Sequence, residues 1–483
     1  MVIRSALPAG LVDVPVPSLS IERYASVLTD EQMEGVREHT ERARAVLAER
    51  TVYNINSTAK GGGVAEMLTA LLPYACGAGV DARWLVIEGD PEFFRITKRL
   101  HNHLHGADGD SPALTAEDRA HYEGLLVSRA TALRQVLRPH DIVVLHDPQT
   151  AGLIPMLMEH CSAVVWRCHV GVDTPNDRVR AAWRFLLPYV TKATELIFSR
   201  RQFVWDGLDE LRVLIIPPSI DPFSAKNREM DGSAIHAILV AAGLTQDGDG
   251  TGAEFVRQDG SSGRVVRIAD MCEERPITRD THLVLQVSRW DRLKDPIGVL
   301  EGFRRVVVPN SPAELMLAGP SVADVADDPE GQEVYAEVVQ AMRAMPAEAR
   351  VRVHLASLPM DDEEENAAMV NALQRRADVV VQKSLAEGFG LTVAEAMWKS
   401  RPVVGSAVGG IQDQIEDGVS GILLRDPRDL DTFGRDVTDL ITHPERARAM
   451  GEAAHGRARA HFLGTRSLMQ YAELLGRLTE PRS

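Results

Sequence analysis

Short apolar strands alternate with longer helical segments in two series along this chain, and this pattern constrains the fold more than any other feature. The first series predicts strands at Thr51–Ile55, Ala82–Ile87, Ile142–His146, Ala163–Cys168, Leu196–Ser199 and Val213–Ile216. The second predicts strands at Leu283–Val287, Leu315–Ala318, Val351–Leu355, Val379–Gln382, Val403–Gly405 and Ile422–Leu424. Such alternation is typical of parallel sheets with helices on both faces. We therefore predict an α/β protein with two doubly wound, Rossmann-like domains.

The chain length also favours two domains, because 483 residues exceed what one hydrophobic core normally covers. The predicted parts are an N-terminal arm and helix at 1–50, a first Rossmann-like domain at 51–218, a linker with an insertion at 219–281, a second Rossmann-like domain at 282–464, and a C-terminal helix at 465–483. The insertion, rich in Gly, Asp and Ser at 245–280, predicts a hairpin at 255–268. The sequence leaves open whether the last helix completes the second domain or crosses back to the first.

Helix signals refine this division. The predicted helices are Asp30–Glu49, Val64–Cys76, Pro296–Val308, Glu363–Arg376, Thr392–Lys399, a segment from Asp429 onward, and Thr465–Leu478. Thr29 or Asp30 is expected to cap the first of them.

The composition excludes several classes of partner. The net charge of −16 argues against binding to nucleic acid or an anionic membrane, since both require a basic face. No apolar run approaches the roughly 18 residues of a transmembrane helix. Prolines interrupt the N-terminal segment, so we do not expect the apolar core of a signal peptide there. The four cysteines show no C-x-x-C spacing, so we expect reduced thiols and no zinc site. We expect a cytoplasmic protein.

The segment from Glu387 to Glu395 is the strongest candidate for a ligand site. It joins a predicted strand to a predicted helix, and its glycines, Gly388 and Gly390, let the backbone approach a ligand closely. The first N–H groups of the helix, beginning near Leu391, favour an anion. Carboxylates beside such donors predict a sugar joined to a diphosphate, and Phe389 lies between the two glycines. A glycosidase pair is less consistent with carboxylates on a glycine-rich loop and a helix. Helix capping or a solvated charge is a fair alternative for Glu395 alone, but a poorer one for the whole segment.

Arg289 and Lys294 follow the first strand of the second series. A guanidinium fork and an ammonium at the carboxyl end of a strand suit a diphosphate. A solvated loop with surface charge fits the spacing equally well.

A second group of candidates ends the strands of the first series. The triplet Gly61, Gly62 and Gly63 joins the first strand to a helix, where ligands bind in doubly wound sheets. A flexible turn explains the triplet as well, and the pattern is not the G-x-G-x-x-G of NAD sites.

Polar side chains end three other strands of this series. His169, Asp147 and the weaker candidate Glu88 each follow a strand. The alternatives are a histidine satisfied by backbone partners and, for Asp147, a cap for the next helix.

Together these residues resemble the retaining glycosyltransferases of family 4, which have the GT-B fold. Glu387 and Glu395 match the Glu-x7-Glu motif of that family, and Arg289 and Lys294 match its Arg-x4-Lys pair. A closer resemblance, to the trehalose glycosyltransferring synthases, lies in the segments 54–66, 84–89, 146–149, 166–169, 217–222 and 387–398. The chain departs from compact members of that family in the insertion at 245–280 and in the spacing from His169 to Asp173.

The resemblance implies transfer of glucose from a nucleoside-diphosphate-glucose to free glucose, giving α,α-trehalose reversibly with retention. Arg289 and Lys294 would stabilise the leaving diphosphate, assisted by backbone at Gly61–Gly63 and Gly388–Leu391. The remaining implied roles are ribose binding by Glu395, donor-glucose binding by Glu387, contact with the donor sugar by His169, and acceptor binding by Asp147, Gln149 and Glu88.

The resemblance also sets expectations for cofactors and partners. No tightly bound cofactor is implied; Mg²⁺ is compatible with the site but not demanded, because the cations supply the charge and no Asp-x-Asp signature is present. The expected partners are the nucleotide sugar, glucose and trehalose, and a homodimer stays open. The rival readings are a retaining trehalose phosphorylase, a family 4 enzyme with another acceptor, a sugar-nucleotide 2-epimerase and a non-catalytic sugar sensor.

Overall fold

The computed structural model describes residues 7–60, 62–106, 113–248, 250–322 and 329–479. The chain forms two compact units. The first contains the residues up to Ser219 together with the segment from Gly464, and the second contains Ile220–Leu463. Each unit has a seven-stranded sheet that is mostly parallel, so the predicted α/β class is confirmed.

The sheet of the first unit has the strand order β1-β3-β2-β4-β5-β6-β7. Its strands are β1 (Leu11–Val14), β2 (Thr51–Asn56), β3 (Asp81–Ile87), β4 (Ile142–His146), β5 (Ala163–Cys168), β6 (Glu195–Phe198) and β7 (Val213–Ile215). All neighbours pair in parallel except β1, which runs antiparallel to β3 with Leu11 opposite Ile87. Strand β1 lies in a segment for which the sequence predicted only an irregular arm, because four residues are too short for a clear pattern.

Helices cover this sheet. They are α1 (Asp30–Val46), α2 (Gly63–Gly77), α3 (Pro91–Leu104), α4 (Ala116–Leu133), α5 (Asp147–Ala151), α6 (Ile154–Met158) and α7 (Asp177–Val190). Thr29 caps α1 as predicted: its hydroxyl accepts from Gln32 N at 3.2 Å, and its own N–H donates to Gln32 Oε1 at 3.0 Å. Leu100, Leu145 and Trp166 are among the fully buried side chains of the core.

The second unit repeats the architecture, with the strand order β10-β13-β12-β11-β14-β15-β16. Its strands are β8 (Glu254–Val256), β9 (Ser262–Arg264), β10 (Asp270–Cys272), β11 (Leu283–Val287), β12 (Glu314–Pro320), β13 (Val353–Leu358), β14 (Val379–Gln382), β15 (Val403–Ser406) and β16 (Ile422–Leu424). Again one edge strand, β10, is antiparallel, and the rest of the large sheet is parallel.

The remaining helices are α8 (Gly232–Ala241), α9 (Pro296–Gly302), α10 (Val308–Asn310), α11 (Pro329–Arg343), α12 (Ala347–Arg350), α13 (Glu363–Arg376), α14 (Leu391–Trp398), α15 (Ile411–Gln414), α16 (Leu430–Thr442), α17 (Pro444–His461) and α18 (Gly464–Thr479). The helix predicted at 296–308 is present and continues to Asn310, with a π-helical turn at Phe303–Val307 between α9 and α10.

Helix α18 packs with the first unit. Its Tyr471 hydroxyl accepts a hydrogen bond from the buried Arg167, and its Ser467 bonds to Ser219 at 3.0 Å. His39 of α1 lies 3.2 Å from Glu473.

The insertion belongs to the second unit and contains the antiparallel hairpin β8–β9. It is anchored on the acidic start of α13. Arg257 binds Asp362 at 2.6 Å, and the backbone N–H groups of Val266 and Arg267 each donate to Glu365 at 2.7 Å. Negative charge at a helix N-terminus is favourable in itself, so these carboxylates serve both the helix and the insertion.

All four cysteines are free. None of the helices in the described ranges combines the length and apolar character that crossing a membrane requires.

Candidate active site

In the first unit, the carboxyl ends of β2, β4 and β5 lie side by side and bring a set of polar side chains together. His146, the last residue of β4, lies between Asn54 of β2 and His169, which follows β5. His146 Nε2 is 3.1 Å from Asn54 Oδ1, and His146 Nδ1 is 3.1 Å from His169 Nε2. The two imidazole rings stack with centroids 5.4 Å apart. His169 thus belongs to a bonded network at the edge where ligands bind in such sheets.

Both histidines are held neutral. Burial lowers the pKa of His146 to about 3, and the positive charge of Arg167 acts in the same direction. The same two causes, burial first, hold the pKa of His169 well below its usual value. This end of the sheet therefore offers uncharged imidazoles at neutral pH.

Asp147 adopts an unusual backbone conformation that places its side chain beside His169. Its φ of 63° is in the left-handed region, which is uncommon for a residue other than glycine. Asp147 Oδ1 accepts from the backbone N–H of His169 at 2.8 Å, and the Asp147 carbonyl accepts from Trp166 Nε1 at 3.0 Å. Burial raises the pKa of this carboxyl to about 7. The side chain does not cap α5, so the capping alternative was wrong.

Gln149 and Glu88 occupy different surroundings. Gln149 is a half-buried residue of α5, two positions after Asp147. Glu88 follows β3, with its side chain exposed and its carbonyl accepting from Arg129 at 2.7 Å. In the sheet order, β2 separates Glu88 from the histidine pair.

The glycine turn opens the N-terminus of α2. Gly61 lies outside the described residues. Gly62 has a φ of 83° and is the N-cap of α2; a side chain at Gly62 or Gly63 would meet no neighbouring atom among the described residues. The open space beside these glycines is compatible with a ligand at the first N–H groups of α2, which stays a prediction.

In the second unit, the adjacent strands β11 and β14 bring two predicted catalytic residues into contact. Lys294, in the turn between β11 and α9, forms an ion pair with Glu387, in the loop after β14. Their side chains are 15% and 11% exposed. The backbone N–H of Leu385 donates to the carbonyl of Leu293 at 2.8 Å, which ties the two loops together. The contact therefore places an ammonium and a carboxylate together at the carboxyl end of two adjacent strands.

The loop at 388–390 is fixed by hydrogen bonds to a second glycine-containing turn at 409–414. The backbone N–H of Gly410 donates to the carbonyl of Gly388 at 3.0 Å, and Gln414 Nε2 donates to the carbonyl of Phe389 at 2.6 Å. A Cβ at Gly409 would clash with the carbonyl of Glu387. With Gly390 at a φ of 81°, the chain then enters α14 at Leu391. The first N–H groups of α14 therefore come only a few residues after Glu387, which pairs with Lys294.

Glu395 lies on α14 and is 3% exposed. Its Oε1 is 3.5 Å from Nζ of Lys226, which is half-buried. Its Oε2 is buried without a hydrogen-bond partner among the described residues. An unsatisfied buried carboxylate oxygen is costly, and a ligand hydroxyl would satisfy it. Simple helix capping does not account for a side chain in this position.

Arg289 differs from Lys294, with which the sequence paired it. Its side chain is 67% exposed and lies 3.2 Å from Asp291. The structure thus brings Lys294, but not Arg289, into contact with Glu387.

Sequence reasoning missed several residues of these two sites: Asn54, His146, Lys226, Ser384 and Gly409. Asn54 and His146 lie within segments that carry the family resemblance, so the resemblance could have marked them. Ser384, whose hydroxyl is 3.4 Å from Glu387, and Lys226 carry no local signal. In the described part of the chain, no cluster of three His, Cys, Asp or Glu residues is placed to hold a metal ion.

Comparison with known proteins identifies the family. Residues 54–205 match the family described as trehalose synthase, N-terminal domain, and residues 270–457 match glycosyl transferases group 1. A trehalose synthase from Pyrococcus horikoshii is 36% identical over 458 residues, which cover 95% of this chain and 96% of that protein. The chain belongs to the trehalose synthase family. It is a trehalose-related glycosyltransferase, and the predicted hexosyltransferase class is confirmed.

Two other proteins place the family in context. A UDP-forming α,α-trehalose-phosphate synthase from Burkholderia xenovorans has a TM-score of 0.66 at 14% identity, covering 89% of this chain and 100% of that one. This likeness concerns the fold alone, and it confirms the predicted GT-B fold. A trehalose phosphorylase from Pleurotus sajor-caju is 28% identical over 83% of this chain, but the match spans only 54% of that protein.

Proposed function

We propose that this member of the trehalose synthase family joins glucose from a nucleoside-diphosphate-glucose to free glucose, giving α,α-trehalose and the nucleoside diphosphate reversibly. The observation that carries the proposal is the Lys294–Glu387 ion pair at the entrance to α14. It combines a cation, a carboxylate and helix N–H groups, which are the partners that a sugar joined to a diphosphate requires.

The second unit provides the donor site. Lys294 and the first N–H groups of α14 stabilise the charge that grows on the leaving diphosphate, and the exposed Arg289 adds a second cation. Glu387 accepts hydrogen bonds from the donor glucose. Glu395, with its unsatisfied Oε2, accepts from the ribose hydroxyls.

The first unit provides groups for the sugars. His169 contacts the donor glucose, and Asp147 and Gln149 orient the acceptor glucose, with Glu88 at the margin of the same edge. Neutral imidazoles and a carboxyl of raised pKa suit hydroxyl groups.

Transfer proceeds with retention and without a protein nucleophile. The bond from the anomeric carbon to the phosphate oxygen breaks, and a bond to the acceptor hydroxyl oxygen forms on the same face. The departing phosphate oxygen takes the hydroxyl proton, so atoms and charge balance. Trapping of a glycosyl–enzyme adduct on a carboxylate would contradict this step.

The direct test is product identification. Purified protein is incubated with ADP-, UDP- or GDP-glucose and glucose, and the disaccharide is identified by NMR. We expect α,α-trehalose with at least one donor, in equal amount to the nucleoside diphosphate released. Transfer to another acceptor but not to glucose, or donor consumption without an acceptor, would contradict the proposal.

The second candidate is a retaining trehalose phosphorylase, favoured by the similarity to the Pleurotus sajor-caju protein. Trehalose is incubated with phosphate in one reaction and with a nucleoside diphosphate in another. Release of glucose only in the phosphate reaction would establish the phosphorylase. A Glu395→Gln variant sharpens the assay, since a carboxylate that binds ribose has no role when phosphate is the substrate.

A further inference from the structure

The hydrogen-bond chain Asn54–His146–His169 in the first unit has a defined direction. Asn54 Oδ1 has no proton to give, so the hydrogen on the 3.1 Å contact belongs to His146 Nε2. A neutral imidazole carries one proton only, which leaves His146 Nδ1 with a lone pair. That lone pair must accept from His169 Nε2–H across the second 3.1 Å contact.

We infer that Asn54 and His146 are positioning residues that hold His169 in its Nε2–H tautomer, so that His169 Nδ1 meets the substrate as a hydrogen-bond acceptor. The second ring nitrogen of a histidine is commonly set by the bond that the first one makes. In the described chain, His169 Nδ1 takes no hydrogen bond, and the residue is half-buried. A ligand group can therefore reach it.

The surroundings of the pair support a single protonation state. Asn54 and His146 are buried, at 5% and 1% exposure. The buried Arg167, on β5, disfavours a positive charge on either ring. Asp147 is a titratable group that also contacts His169. Its carboxylate accepts from the backbone N–H of His169, whereas the imidazole ring of His169 bonds to His146.

The tautomer has a consequence for substrate choice. An acceptor at Nδ1 selects a sugar carbon that carries a hydroxyl, because the hydroxyl donates its proton to the lone pair. In this tautomer Nδ1 has no proton to donate, so His169 cannot act through Nδ1 as a general acid toward the leaving group at neutral pH. The inference about the tautomer rests on the proposed function in one respect only: the group that contacts His169 Nδ1 is identified as a hydroxyl of the donor glucose.

The tautomer itself can be measured without substrate. Long-range ¹H–¹⁵N correlation spectra of protein labelled with ¹⁵N-histidine distinguish protonated from unprotonated ring nitrogens, and a His169→Gln variant identifies the His169 signals. We expect a protonated Nε2 and an unprotonated Nδ1 between pH 6 and pH 8. An Nδ1–H tautomer, or a doubly protonated ring at pH 7, would overturn the inference.

Two variants of similar size test the role of His146. His146→Asn keeps an acceptor oxygen near the position of Nδ1, whereas His146→Leu removes it. We expect His146→Leu to mix the tautomers of His169 and to lower kcat by about tenfold, and His146→Asn to recover part of both effects. Equal loss in the two variants, with the tautomer unchanged, would mean a packing role and would overturn the inference.

The two proposals fail separately. Absence of trehalose synthesis together with an Nε2–H His169 would refute the proposed function and uphold the tautomer. Trehalose synthesis by a protein whose His169 carries its proton on Nδ1 would uphold the proposed function and refute the tautomer.

Deoxyfluoro analogues of the donor glucose test the acceptor role of His169 Nδ1. Replacement of the one hydroxyl that donates to Nδ1 should remove the difference in kcat between the parent and His146→Leu. If no replacement does so, the acceptor role is refuted.

Discussion

The carboxyl edges of the two sheets are built on opposite electrostatic principles. In the first unit, burial suppresses charge: His146 and His169 are neutral, and Asp147 has a pKa of about 7. In the second unit, Lys294 and Glu387 form an ion pair, so a cation and an anion lie side by side. Under the proposed function, one sheet topology serves two purposes: neutral groups at one edge suit hydroxyls, and charged groups at the other suit a diphosphate.

Buried histidines show the same contrast between the units. His354 is fully buried in the second unit, yet its two ring nitrogens lie 2.6 Å from Glu273 and 2.9 Å from Glu314. Burial alone lowers its pKa, but the two carboxylates outweigh this and raise it. No described carboxylate bonds either ring of the His146–His169 pair, and those rings are neutral.

Removal of the cation from the charged edge should have the largest effect. We expect Lys294→Ala to lower kcat by about 10³-fold, because the charge that grows on the diphosphate in the proposed reaction loses a cation. Lys294→Arg should recover part of the loss. Lys192→Ala, which removes an exposed lysine of the first unit, is the matched control. Steady-state kinetics within tenfold of the parent for Lys294→Ala would contradict the role of the charged edge.

Loss of the neutral edge should be the next largest effect. We expect His169→Ala to lower kcat by about 10²-fold while the Kd for the nucleoside diphosphate stays near that of the parent. Circular dichroism checks that the fold survives. If the variant binds diphosphate much more weakly but turns over bound donor normally, the assignment of sugar contacts to this edge is wrong.

The Glu395→Gln variant should show a smaller effect that is confined to KM. The amide keeps the size of the side chain but weakens the hydrogen bonds to ribose, so KM for the donor should rise by about tenfold with little change in kcat. Glu452→Gln, an exposed glutamate on α17, serves as the control. A fall in kcat with unchanged KM would place Glu395 at the reacting centre instead.

The smallest expected effect concerns stability and pH. Because the folded-state pKa of His354 is raised, its contribution is complete below the unfolded value of about 6.5 and is lost as the pH rises through the folded value. We expect His354→Gln to flatten this part of the pH profile of the urea midpoint. An unchanged slope above pH 6.5 in the variant would assign the pH dependence to other groups.

The strands and helices could be predicted from sequence because each depends on a local pattern. Strands β4, β5, β11, β14 and β16 begin and end at the predicted residues, and α13 does too. The antiparallel edge strands β1 and β10 were missed, since three or four residues at a sheet edge carry little periodicity.

The site was predictable only in part, because contacts depend on strand order. Glu387 and Lys294 could be placed at one edge from their positions after strands. The bond from Asn54 to His146 joins residues 92 positions apart, and no local pattern connects them. Lys226 meets Glu395 from outside the regular elements, so only the folded chain reveals the pair.

Binding of a nucleoside diphosphate in the absence of sugar tests the division between the two edges most directly. ADP and UDP are titrated calorimetrically into the parent chain, Lys294→Ala and His169→Ala. We expect Kd to rise at least about tenfold in Lys294→Ala and to stay within about threefold of the parent in His169→Ala. Weakening in His169→Ala equal to that in Lys294→Ala would contradict it.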